Sequence, residues 1–124
     1  MSFTTVTLIL FVGGTTLADK EVTKLVDAIG TPAMFEMMAE EATELSYACL
    51  KFARYLRGEN LVHGKTEAEM LSNVHEEMAD VYVTLRELRK VSEYIDNIKI
   101  ADTIDEKRKR MATRLGVKAD SFIF

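Results

Sequence analysis

The chain has 124 residues, 48% hydrophobic and 29% charged, the length and balance of one globular domain rather than of a disordered or fibrous segment. Its net charge of −4 opposes general attraction to nucleic acid or to an anionic membrane, since both carry the same sign. A helical chain this small commonly completes its core by association, so a homodimer or homotetramer is expected.

Residues 1–16 stand apart as an apolar arm. Within them residues 6–12 (VTLILFV) run without a polar interruption other than Thr7 into Gly13-Gly14, too short a run for the roughly 20 apolar residues that cross a bilayer. As a secretory leader the arm lacks a Lys or Arg before that run, and Thr16-Leu17-Ala18 makes a poor cleavage site. A short strand, or an arm contacting another copy, is expected instead. Residues 17–124 are expected to form a single helical domain of a cytoplasmic protein. The single cysteine, Cys49, rules out an intrachain disulfide, and its place among Leu45, Phe52 and Leu56 marks it as a small core group.

Beyond residue 17, one proline and spaced glycines punctuate a helical pattern. The first helix is expected over residues 19–29. It ends at Gly30-Thr31-Pro32, where Thr31 would cap and Pro32 would enter the first turn of a second helix reaching Arg57. On that helix Met38, Ala42, Leu45, Cys49, Phe52 and Leu56 recur at helical spacing as one apolar stripe. Residues 58–65 read as a loop. Thr66, with Glu69 three residues later, is a capping-box signature for a third helix running to Val91, striped by Leu71, Val74, Met78, Val81, Leu85 and Leu88. Two such helices across a short loop make an antiparallel hairpin. Ile95, Ile98, Ile104, Met111 and Leu115 indicate a further helix before Gly116, with or without a break near Asp102.

Two acidic clusters lie on the hairpin arms. Residues three apart on a helix share a face, so Glu41 with Glu44, and Glu77 with Asp80, can each aim two carboxylates at one point. Counted from the loop, Glu44 and Glu77 fall at nearly the same height, and Glu41 and Asp80 match one turn further out. Four carboxylates at one level repel one another unless a cation lies between them. Asp80 also interrupts the apolar run of residues 78–83, which points to burial. Either cluster alone reads as an ordinary solvated face; the matched register favours a shared metal. Oxygen ligands select Mg²⁺, or Mn²⁺, over zinc. His63 lies in the loop and His75 follows no Glu at the spacing of a di-iron Glu-x-x-His motif, so neither joins the ligand set. Mg²⁺ is usually completed by substrate phosphates, and Lys107, Arg110 and Arg114 line one helix face that could receive them; the plain alternative is a solvated basic face at a helix C-terminus. Lys51 and Arg54 are weaker candidates for the same role.

The doubled pattern, Glu40-Glu41-x-x-Glu44 followed on the next long helix by Glu77-x-x-Asp80, resembles that of the all-α nucleotide pyrophosphohydrolases, which include MazG, dimeric dUTPase-like enzymes and phosphoribosyl-ATP pyrophosphohydrolase. The likeness runs from Ile29-Gly30-Thr31-Pro32 through the basic final helix and looks closest to the short MazG-like proteins. The gap between Glu44 and Glu77 is longer than in many members, and the N-terminal arm has no family counterpart. The resemblance implies an all-α four-helix bundle completed by oligomerisation. It implies hydrolysis of a nucleoside or deoxynucleoside triphosphate to the monophosphate and pyrophosphate, with Mg²⁺ on Glu41, Glu44, Glu77 and Asp80. Glu40 or Glu76 would orient the attacking water, and Lys107, Arg110 and Arg114 would bind the phosphates. Phosphoribosyl-ATP is an alternative substrate. A non-catalytic helical oligomer serving as an interaction module is the alternative from outside the enzyme class.

Overall fold

The computed structural model describes residues 11–12, 15–16, 24–59 and 64–120. Apart from a two-residue ladder, in which Phe11–Val12 (β1) pairs antiparallel with Thr15–Thr16 (β2), the described chain is helical, with α1 at Leu25–Ile29, α2 at Thr31–Leu56, α3 at Glu67–Leu88 and α4 at Asn97–Leu115. The all-α expectation holds. Within the N-terminal arm only the β1–β2 ladder is described; the rest of the arm, residues 19–23 of the first helix, and His63 lie outside the described residues.

Helix boundaries follow from backbone chemistry. Lys24 is extended (φ −65°, ψ 141°), so α1 begins only at Leu25. Thr31 does not cap α2: Gly30 takes the N-cap position at φ 90°, ψ 151°, a conformation open to glycine, while Pro32 enters the first turn as expected. Thr66 and Glu69 close the expected capping box on α3, the Thr66 side chain accepting from the Glu69 N–H at 3.2 Å and the Glu69 carboxylate accepting from the Thr66 N–H at 2.9 Å. That helix stops at Leu88 rather than Val91, and turns lead to Asp96, which caps α4 by accepting from the Lys99 N–H at 3.0 Å. The α3–α4 joint is held by Asn97, which accepts from the Arg89 side chain at 3.1 Å and donates to the Arg89 carbonyl at 2.9 Å. Helix α4 is unbroken at Asp102 and ends at Gly116 in the left-handed region (φ 67°).

Helices α2 and α3 pack along their lengths as the expected hairpin, and α1 folds onto both. The residues turned inward are Met34, Met38, Glu41, Leu45, Ala48 and Phe52 on α2, and Met70, Val74, Glu77, Val81, Thr84 and Leu88 on α3. Both sets recur at alternating steps of three and four, the spacing of a two-helix seam. The anticipated stripes coincide with half of this seam only. The other half of those stripes, including Ala42, Cys49, Leu56, Leu71 and Met78, is exposed, so Cys49 is not the core group the sequence suggested. A compact core forms at the α1 end, where Val26, Met34, Leu88 and Val91 bury one another with Met38 and Ile95 against them. Helix α4 packs far less on the others among the described residues, so the four helices do not close into a bundle within one chain. No helix among the described residues is long and apolar enough to cross a membrane.

Candidate metal centre

The register of the hairpin is fixed where Thr84 of α3 reaches Met38 of α2, its hydroxyl lying 3.3 Å from the thioether sulfur. Glu41 lies three residues beyond Met38 and Asp80 four residues before Thr84, so the antiparallel register draws these two level, and Glu44 and Glu77 one turn nearer the loop. The side chains bear this out: Glu41, Glu77 and Asp80 each bring a carboxylate oxygen within 4.8 Å of the others. Glu44 stands outside that trio but adjoins it, repelling Glu41 and lying within hydrogen-bonding reach of Glu77.

Glu41 and Glu77 are half-buried seam residues, and one oxygen of each, Oε2, is buried without a hydrogen-bond partner. Their carboxyls are held above the ordinary range. For Glu41 the largest cause is burial, followed by the charges of Asp80, Glu44 and Glu40. For Glu77 it is again burial, then the charge of Glu44 and a hydrogen bond with it, then Asp80 and Glu76. Asp80 is exposed in the chain, contrary to the burial inferred from its apolar neighbours. Those neighbours are themselves exposed: Met78, Tyr82 and Val83 all face outward, so an apolar surround does not place Asp80 inside.

An oxygen-only donor set with unsatisfied buried acceptors suits a hard divalent cation, because such an ion supplies the positive charge that neither solvent nor any side chain among the described residues brings to those two atoms. The residues present therefore fit Mg²⁺ or Mn²⁺. Glu40 and Glu76 lie exposed on the flanks, close enough for their charges to act on Glu41 and Glu77 respectively. Lys107, Arg110 and Arg114 are exposed on α4, and none of them is among the groups that act on Glu41 or Glu77, so the fold of one chain does not bring them to the acids. Lys51 belongs to the loop end of the hairpin, where it stacks over the Tyr47 ring at 5.6 Å, its ammonium pushed down by burial and by Lys65. His75 is exposed and outside the cluster.

One turn from the acids, a cavity of about 100 Å³ opens between α1 and the hairpin, lined among others by Leu25, Ile29, Met37, Val83 and Glu87. Glu87 escaped the sequence reading. It is only 6% exposed, is paired with Lys90, and keeps a buried Oε2 without a partner. The Lys90 hydrogen bond is the main cause holding its carboxyl below the usual range; burial opposes it, and the N–H groups of Val26 and Leu25 assist without closing a standard hydrogen bond on Oε2. The signal available in the sequence was its position seven residues after Asp80, on the same helical face.

Compared with models of protein families, with curated proteins and with solved structures, the chain matches none.

Proposed function

We propose that the chain is a Mg²⁺-dependent nucleoside triphosphate pyrophosphohydrolase of the MazG-like kind, acting as a cytoplasmic homo-oligomer. The observation that carries this reading is the convergence of Glu41, Glu77 and Asp80 within 4.8 Å, with Glu44 adjoining and two buried carboxylate oxygens left without partners. Glu41, Glu44, Glu77 and Asp80 would hold the ion. When bound, a divalent ion supplies positive charge and Lewis acidity to a phosphoanhydride. Glu40 or Glu76, both exposed beside the cluster, would accept a proton from an attacking water and orient it. The apolar cavity beneath the acids would take the base, while Lys107, Arg110 and Arg114 would offset charge on the departing pyrophosphate, a role that requires α4 to approach the acids from elsewhere in the assembly.

Pyrophosphate release from a panel of nucleoside and deoxynucleoside triphosphates and phosphoribosyl-ATP, with and without Mg²⁺, tests the reading beside Asp80→Ala. Metal-dependent release that the variant loses is the expected result, and the preferred member of the panel names the substrate. Absence of release from every compound would sink it in favour of the interaction module, a reading supported by the extent of exposed apolar surface on α2 and α3.

A further inference from the structure

The hairpin arms carry few permanent cations: Lys51 and Arg54 on α2, and Arg86 on α3. Arg86 lies six residues beyond Asp80, a rotation of about 120° away from the acidic side of α3. Arg54 lies ten residues beyond Glu44, about 15 Å along the axis. Lys51 is placed differently. Glu44, Tyr47 and Lys51 follow one another at steps of three and four on one side of α2, and the Lys51 ammonium sits over the Tyr47 ring, 5.6 Å from its centroid.

Lys65 meets it there. The capping box of Thr66 and Glu69 fixes the start of α3 and with it the neighbouring Lys65, whose side chain comes within hydrogen-bonding reach of the Lys51 ammonium. Two ammonium groups in contact repel, and because Lys51 is half-buried, water screens that repulsion only in part. No acid offsets it: neither lysine belongs to an ion pair among the described residues, and no carboxylate is among the groups that act on Lys51. An anion with several acceptor oxygens, seated between the two, relieves the repulsion and accepts from both.

We infer that Lys51 and Lys65 form a binding site for the terminal phosphate of a polyphosphate whose inner phosphates lie at the acids. Glu44 and Lys51 are about 10 Å apart along α2, too far for one phosphate to serve both places and suited to a chain of phosphates met by long lysine side chains. The pair thus supplies, within one chain, phosphate-binding cations that α4 does not bring to the acids. The identity of the anion rests on the proposed hydrolysis; the contact between the lysines does not.

The test titrates the full chain with inorganic tripolyphosphate, with and without Mg²⁺, and maps lysine acetylation by mass spectrometry with and without the anion. Wild type is compared with Lys51→Gln, Lys65→Gln and, as a control for loss of charge on the hairpin, Arg86→Gln. The expected result is binding that protects Lys51 and Lys65 from acetylation and weakens about tenfold or more in each lysine variant, with Arg86→Gln unchanged. Binding that leaves both lysines open to acetylation, binding unaltered in both lysine variants, or no binding in either condition overturns the inference. Protection of the wild-type lysines decides even where a variant fails to fold. The two proposals fail separately: protection without pyrophosphate release from any nucleotide supports the lysine site and sinks the hydrolysis, whereas release with KM unchanged in both lysine variants sinks the site alone.

Discussion

Glu41 and Glu77 couple the candidate site to pH. In the unfolded chain both titrate near their ordinary value of 4.5, whereas in the fold burial and neighbouring acids raise them, so the folded state holds their protons longer. The folded state then binds more protons than the unfolded one between the ordinary and the raised values, and stability falls as pH rises through that window. Glu87 has the opposite sign. Its lowered carboxyl contributes stability that is present above 4.5 and lost as pH falls through the lowered value. Thermal melts of the metal-free chain should therefore decline on both sides of the region near pH 4.5 as far as these groups are concerned. Glu77→Gln should lessen the decline on the alkaline side, leaving the part due to Glu41, and so raise Tm at pH 7. The same variant should abolish the Mg²⁺-induced stabilisation that the proposed metal site requires, and a Tm lower than that of the wild type without metal would show that Glu77 is not strained by its neighbours. On the proposed hydrolysis, Glu44→Ala and Asp80→Ala should each lower kcat/KM by at least the roughly 10–100-fold that losing a group that merely orients a metal ligand costs.

At the scale of the elements, the position of α1 over the hairpin depends on Gly30. Its φ of 90° with ψ of 151° lies where a side chain is strained even though nothing stands within 4 Å of a Cβ there, so Gly30→Ala should cost about 1–3 kcal/mol in urea unfolding, through the backbone alone. A cost below about 0.5 kcal/mol would mean that the joint relaxes without strain. The sequence announced this joint through Gly30-Thr31-Pro32 but assigned the cap to Thr31, because a hydroxyl before a proline has the usual capping chemistry and a glycine's φ leaves no mark in the residue letters. The α3 start was legible because Thr66 and Glu69 satisfy each other locally, whatever the tertiary context. The acidic register was legible too, since an antiparallel hairpin with a short loop leaves little freedom for relative height. What stayed hidden is rotation. The apolar arc on each helix is wider than the seam needs, and period alone cannot say which part of it faces the other arm. Cys49 and Asp80 were placed inside on that account, and Thr84 and Glu87, polar groups on the true inner side, were passed over.

At the scale of the molecule, the described residues bury a small core. Val26, Met34, Leu88 and Val91 form its one cluster with Met38 and Ile95 packed against it, while Tyr47, Leu50, Leu56, Met78 and Tyr82 remain outside. With that much apolar surface outside the core of the described residues, the proposed homo-oligomer should couple association to folding. The consequence is measurable without any substrate. For a dimer that melts directly to unfolded chains, a hundredfold rise in protein concentration adds about 1.4 kcal/mol per chain, which corresponds to a Tm increase of roughly 5 °C for a domain of this length. Wild-type melts over that range should show the shift. The Mg²⁺ stabilisation that the proposed metal site requires should add to the concentration effect, because ion binding and association each act by mass action. A wild-type Tm unmoved by concentration would mean that one chain is stable alone with the exposed apolar side chains of α2 and α3 in water.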